Sequence, residues 1–167
     1  MPTPQFILDL REKIGHDPLF LTGVTGIVLR EHRGRQQVLL VRRTDNGQWT
    51  PVSGIVEPDQ QVHEVVVREV LEEACVVAAI ERLVWVRTHP MITYPNGDQT
   101  SYVNLTFRMR HVSGEPRPGD DEQTDARWCD VDALPPMDPD YRDRVLLAVA
   151  DEPGCVFGDL PGLRFSC

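Results

Sequence analysis

The chain is short of positive charge. Its 17 Lys and Arg stand against 26 Asp and Glu, a formal net charge of −9 at pH 7. Such a balance argues against sequence-independent binding to a nucleic-acid backbone, which needs a basic surface. It does not exclude a small phosphorylated ligand, because a metal ion can carry the compensating charge. Long apolar runs are missing as well: no stretch approaches the ~18 consecutive apolar residues of a membrane-spanning helix. The N-terminal MPTPQFILDLREKIG has no basic stretch followed by an apolar run, the mark of a secretory leader. Cys75, Cys129, Cys155 and Cys167 include no pair at CxxC spacing and no Cys/His cluster at zinc spacing. Reduced thiols and a soluble, cytoplasmic protein are expected, with neither membrane nor nucleic acid as partner.

What remains is ordinary for a globular protein: 41% hydrophobic and 26% charged residues over 167 positions, enough for one domain with a sizeable core. There is no internal repeat or interdomain linker, so residues 1–167 read as a single α/β domain. Residues 1–20 form an N-terminal extension. Within it, residues 4–14 are helical, with Phe6, Ile7, Leu10 and Ile14 on one side. This helix either caps the domain or joins a homodimer. Strands are expected over 22–30 and 36–43, joined by the polar loop EHRGR, then over 81–88, 99–110 and 126–131. Tyr94-Pro95-Asn96-Gly97-Asp98 is a strong turn signal. SGEPRPGDDEQTD is a polar Pro/Gly-rich loop. A helix follows over 140–150, with Val145, Leu146 and Val149 facing the core. Residues 151–167 read as an irregular tail. Mixed strands with a central and a C-terminal helix predict an α/β/α sandwich.

The stretch GIVEPDQQVHEVVVREVLEEACV, residues 54–76, carries the chemistry. Val62, Val66, Val70 and Ala74 recur every fourth residue, with Val67 and Leu71 widening the stripe. That periodicity predicts an amphipathic helix capped by Asp59, with Pro58 just outside. On a wheel of about 100° per residue with Val62 at zero, Glu69, Glu73 and Glu72 fall at about 340°, 20° and 280°. Three carboxylates at i, i+3 and i+4 share one surface, and Glu73 runs along the edge of the apolar stripe. As a merely solvated acidic face this arrangement is costly. Glu69 and Glu73 repel, and all three stand in the half of the helix where the dipole disfavours anions. Only Arg68 offsets them. A hard cation such as Mg²⁺, with Mn²⁺ as substitute, would remove the conflict, and a diphosphate can complete its shell.

These residues resemble the Nudix hydrolase signature: Gly, five residues, Glu, seven residues, Arg-Glu, an aliphatic, any residue, Glu-Glu, any residue, Gly, an aliphatic. Gly54, Arg68, Glu69, Val70, Glu72, Glu73 and Val76 match in register. Gln60 stands where the signature has Glu and Cys75 where it has Gly. Trp49, Pro51, Gly54 and Glu57 look like the usual lead-in, with Ser53 replacing its first Gly. Cys75 either takes a left-handed helix end or the helix runs one or two residues further. Gln60 cannot ionise, so it adds no charge to a metal site.

The resemblance implies a Nudix fold and metal-dependent hydrolysis of a nucleoside diphosphate linked to a group X. Mg²⁺ would sit on Glu69, Glu72 and Glu73, with a backbone carbonyl of Ser53 or Gly54. Arg68 would orient the carboxylates, with Glu57 as a candidate second partner. Glu122, in the loop before the strand carrying Trp128, is where the resemblance places a general base. His63 and His89 are alternatives by chemistry, with His63 expected to pack and His89 to meet substrate. Arg42, Arg43, Trp49 and Tyr102 are candidates to stack a base or meet phosphates. Pro90 is near the position of a Pro in members acting on ADP-ribose, and Tyr94 near that of a Tyr in members acting on dinucleoside polyphosphates. An ADP-ribose or nucleotide-sugar-like substrate is favoured slightly over a nucleoside triphosphate. The runner-up is a nucleotide-binding regulatory domain with little turnover, motivated by Ser53, Gln60 and Cys75.

Overall fold

A computed structural model of the protein describes residues 3–159. Its elements run α1 (Gln5–Ile14), β1 (Leu19–His32), β2 (Arg35–Arg43), β3 (Trp49–Thr50), β4 (Val52–Ile55), α2 (Val62–Ala74), β5 (Val77–Thr88), β6 (Ile92–Thr93), β7 (Gln99–Ser113), β8 (Gln123–Asp130), a 3₁₀ turn (Val131–Ala133), α3 (Pro139–Ala150) and β9 (Val156–Phe157). The strands form one mixed sheet whose main path is β3-β2-β1-β7-β5-β9. β4 joins β1, β6 joins β7 and β8 joins β2. The β1–β7 and β5–β9 pairs are parallel, and the others are antiparallel.

Alternation along β1 builds two core layers from one strand. Val24 and Val28 face α2 and pack with Val66, Val70 and Ala74. Ile27 and Leu29 face the other way, into the layer closed by Val145 and Ala148 of α3. A strand buried on both faces is apolar almost throughout, and β1 is buried without a break from Val24 through Leu29, with Thr25 the one polar side chain among them. The result is the expected α/β/α sandwich. The EHRGR loop closes β1 onto β2 with only Arg33 and Gly34 between paired residues, both at positive φ, the geometry that matches strand twist.

Several expectations are corrected. Asp59 does not cap α2: it lies at φ 67°, and the helix starts after Gln61 with no side-chain cap. Leu71 does not widen the apolar stripe. It is 52% exposed on the far side of α2, and Val65 fills the core instead. In α3, Arg144 and Ala148 join Val145 inside, Val149 packs half-buried against the same core as expected, and Leu147 rather than Leu146 packs beside it. The N-terminal extension ends early, since β1 begins at Leu19. Helix α1 docks on its own domain through buried Ile7 and through Arg11, which donates to the Gln99 carbonyl and the Thr100 hydroxyl. The tail is not irregular throughout, because Val156–Phe157 pairs with Trp85 and Val86. Cys75, Cys129 and Cys155 are free thiols. The part of the tail over residues 160–167, Cys167 included, lies outside the described residues.

The end of α2 resolves the departure at Cys75. This residue adopts the left-handed conformation, φ 56° and ψ 29°, and its N–H bonds the Leu71 carbonyl. The polar loop after β7 then completes the cap. Gly119 N–H reaches the Glu73 carbonyl at 3.0 Å and Arg117 N–H the Ala74 carbonyl at 3.2 Å. A Cβ at Gly119 would stand 1.8 Å from the Glu72 carbonyl oxygen, so only glycine allows this approach. Cys75→Gly removes the left-handed penalty and is expected to stabilise the fold by about 1 kcal/mol, raising the melting temperature by about 2–4 °C. A thermal melt in which the variant unfolds no higher than the parent would refute that account.

Candidate active site

Two of the signature carboxylates are inside the protein. Glu69 is 1% exposed and Glu73 4%, both on the face of α2 that packs against the sheet. Gly54 on β4 makes room for the first: a Cβ there would lie 2.7 Å from the Glu69 carboxyl carbon. Arg68 Nη2 donates to Glu69 Oε1 at 3.0 Å, and Gln123 Nε2 donates to Glu73 Oε2 at 3.0 Å. These contacts do not balance the burial. Desolvation lifts Glu69 to about 7, eased by Arg68 and worsened by Glu72. Desolvation lifts Glu73 to about 8, and repulsion from Glu69 adds to it.

Glu73 and Gly54 open onto a cleft of about 860 Å³, a size suited to a nucleotide-sized ligand. Arg43, Tyr94, Tyr102, His89 and Glu122 also line it. The Tyr94 and Tyr102 hydroxyls are 3.2 Å apart. Burial, then the bond to Tyr94, pushes the Tyr102 phenol upward, so it stays protonated. Arg43 holds Asp45 in two hydrogen bonds, of 2.9 and 2.6 Å. The segment carrying Glu122 is pinned: Thr44 N–H donates to the Glu122 carbonyl at 2.7 Å, and the Thr44 hydroxyl to the Asp121 carbonyl at 3.0 Å.

A family model for the NUDIX domain matches residues 20–148. The chain belongs to the NUDIX family. A NAD-capped RNA hydrolase, NudC of Pseudomonas aeruginosa, is 37% identical over 103 residues, 60% of this chain and 34% of NudC. The chain thus spans about a third of the length of the NAD-capped RNA hydrolases it matches. A MutT-like protein of Streptomyces ambofaciens is 34% identical over 117 residues, covering 70% of this chain and 68% of that protein. The crystal structure of an ADP-ribose pyrophosphatase from Streptococcus suis superimposes with a TM-score of 0.63 at 22% identity, over 83% of this chain and 98% of the other. That likeness is one of fold.

NUDIX hydrolases generally use a divalent cation, typically Mg²⁺. The donor set fits one. Two buried carboxylates repel each other, the Gly54 cradle brings backbone against Glu69, and Gln123 Oε1 is buried with no hydrogen-bond partner. The expected three-carboxylate set is not gathered, however. Glu72 is half exposed and turned to Arg68, 3.6 Å away, and no group of three or more His, Cys, Asp or Glu among the described residues is placed to hold a metal. Its position on the helix explains this: Glu72 lies outside the face that Glu69 and Glu73 share.

Other expected site residues fare unevenly in this NUDIX domain. Arg42 is exposed and donates to the Gly47 carbonyl. Trp49 packs against the α3-side core, with the Arg127 guanidinium 4.1 Å over its ring. Neither lines the cleft. Arg68 pairs with Glu69 and Glu72 rather than Glu57. His63 is exposed instead of packed, and Pro90 is exposed as well. Gln60 Oε1 accepts the Glu57 N–H at 3.2 Å. Residues missed by sequence reasoning are Gln123, Asn104, Asp140 and Arg144. Arg144 had a readable signal. It precedes Val145 and stands four residues before Ala148, on the apolar side of α3, with Asp140 four residues earlier to pair with it.

Proposed function

We propose that this NUDIX domain is a metal-dependent pyrophosphohydrolase that cleaves the diphosphate of a nucleoside diphosphate linked to X. The observation that carries the reading is the buried pair Glu69–Glu73, with Glu73 opening onto the cleft, whose desolvation Arg68 and Gln123 offset only in part. A small nucleotide such as ADP-ribose or a nucleotide sugar is favoured over RNA. The net charge of −9 opposes a polyanion, and similar proteins are named for ADP-ribose and UDP-X.

Glu69 and Glu73, with the Gly54 carbonyl, would hold the cation, and Glu72 would join them on leaving Arg68. The bound ion would neutralise diphosphate oxygens and polarise water. Arg68 keeps Glu69 oriented, and Gln123 does the same for Glu73. Arg43 meets phosphate from the cleft wall, and Tyr94 and Tyr102 offer ring faces to a base or sugar. Glu122, on its pinned segment, removes the proton from the attacking water.

Incubation of the purified chain with Mg²⁺ and a panel of nucleoside diphosphate derivatives tests this. We expect a nucleoside monophosphate and a phosphorylated X, one of them labelled in ¹⁸O-water. Glu122→Gln should lower kcat by about 10²-fold or more with a small change in KM. Tight binding without turnover across the panel, at saturating metal, would instead establish the second reading, a nucleotide-binding domain. The outward-turned Glu72 is what favours that alternative.

A further inference from the structure

In the lining of the same cleft, one buried arginine organises a set of polar side chains outside the signature. Arg144 on α3 is 2% exposed. All three of its nitrogens are engaged. Nε bonds Asp140 Oδ2 at 2.8 Å, and Asp140 also takes Arg87 Nη1 at 2.6 Å. Nη1 donates to the hydroxyls of Thr25 and Thr106, at 3.2 and 2.8 Å, and to Asn104 Oδ1. Nη2 donates to His89 Nε2. The guanidinium is held on each of its nitrogens and so fixes the side chains around it.

Those neighbours are left with one orientation each. Arginine accepts no hydrogen bond, so His89 Nε2 must be the acceptor and the ring proton must sit on Nδ1. Burial, then the Arg144 charge, pushes the His89 pKa down, which keeps the ring neutral. Asn104 is fixed by the same logic. Its Oδ1 takes Arg144 and both threonine hydroxyls, so its Nδ2 faces away from them. That nitrogen lies beside Gly23, where a Cβ would come within 3.0 Å of it. Among the described residues, neither Asn104 Nδ2 nor His89 Nδ1 has a protein acceptor, and neither is sealed from solvent. Both residues line the cleft.

We propose that Asn104 Nδ2 and His89 Nδ1 are paired N–H donors that recognise oxygen acceptors of the substrate, with Arg144 as the positioning residue that aims both. The wall therefore selects a group rich in carbonyl, hydroxyl or phosphate oxygens and rejects one presenting donors there. This deepens the pyrophosphohydrolase reading and rests on it for the identity of the ligand. The oxygens can belong to X or to the nucleotide, and the probes below separate the two.

Asn104→Asp is the decisive variant. It keeps the oxygen that Arg144 holds and replaces the outward donor with an acceptor. Calorimetry with ADP-ribose, AMP and ribose 5-phosphate, under chelator to prevent turnover, reads the effect. We expect Asn104→Asp to weaken ADP-ribose binding by about tenfold or more at an unchanged melting temperature, and His89→Ala to weaken it as much while lowering the melting temperature, because Arg144 Nη2 loses its acceptor. A matching loss for ribose 5-phosphate assigns the donors to X, and for AMP to the nucleotide. Nitrogen-15 NMR of histidine-labelled protein should show His89 as the neutral Nδ1–H tautomer in the wild type, losing that bias in Arg144→Gln. Unchanged affinities in both variants, or an Nε2–H tautomer in the wild type, would overturn the proposal. Should the wild type bind none of the probes under chelator, and neither AMP nor ribose 5-phosphate with Mg²⁺ present, the substrate reading fails, and the tautomer alone then decides for or against this arrangement.

Discussion

Glu73→Gln and Glu69→Gln are each expected to lower turnover by about 10²–10³-fold, the scale seen when one charge-stabilising group is taken from a transition state. The same substitutions should make the metal-free protein more stable at pH 8. Each removes a charge that the fold buries against a like charge, and the glutamine keeps the shape and can still hydrogen-bond Gln123 or Arg68. Steady-state kinetics and thermal melts on the same preparations check the two effects. A variant that loses activity and stability together would point to a structural role for the carboxylate.

Stability of the metal-free protein should fall as pH rises from about 4.5 to 8, the reverse of the usual carboxylate pattern. The sign follows from the raised values. Glu69 at about 7 and Glu73 at about 8 hold their protons in the folded state at pH values where the unfolded chain has released them. Protons are therefore bound preferentially by the fold, and stability is lost as they leave. The stabilisation is full below the ordinary carboxylate value and gone above about 8. Under chelator the melting temperature should drop by roughly 5–10 °C across that window, each kcal/mol being worth about 2–4 °C in a domain of this size. Millimolar Mg²⁺ at pH 8 should recover most of the loss by binding the ionised pair, and Glu73→Gln should flatten the slope. A flat profile under chelator, or no response to Mg²⁺, would contradict the burial of two ionisable carboxylates.

The sequence made the sandwich and the signature helix readable because both rest on periodicity. Val62, Val66, Val70 and Ala74 placed α2, and the alternation in residues 99–110 placed β7. Glu69 and Glu73 could be located near the apolar stripe by angle alone. Their full burial could not, since it depends on Gly54 and on Gln123 arriving from β8. Glu72 shows the limit of reading spacing as convergence. Spacing of i, i+3 and i+4 defines neighbours on a helix, but only two of the three face the sheet. Arg42 and Trp49 were chosen for chemistry, and strand alternation sends them elsewhere than Arg43. The Arg144 cluster joins β1, β5, β7 and α3, residues separated by up to 119 positions, and no local pattern reports such a meeting.

The parallel pairing of β1 with β7 also dictates an order of assembly. Leu19 pairs with Thr100 and Leu29 with Arg110, so the two strands that floor the cleft are about 80 residues apart in the chain. On a ribosome, which delivers the N-terminal segment first, β1 and its hairpin partner β2 are made long before β7 exists. Gly23 therefore cannot meet Asn104, nor Thr25 meet Arg144, until nearly the whole domain has been synthesised. The carboxylates of α2 can find Gly54 earlier, from sequence close by. The contact of Glu69 with Gly54 is thus available to form first, the hold of Gln123 on Glu73 follows with β8, and the side chains that read the ligand have to wait for α3.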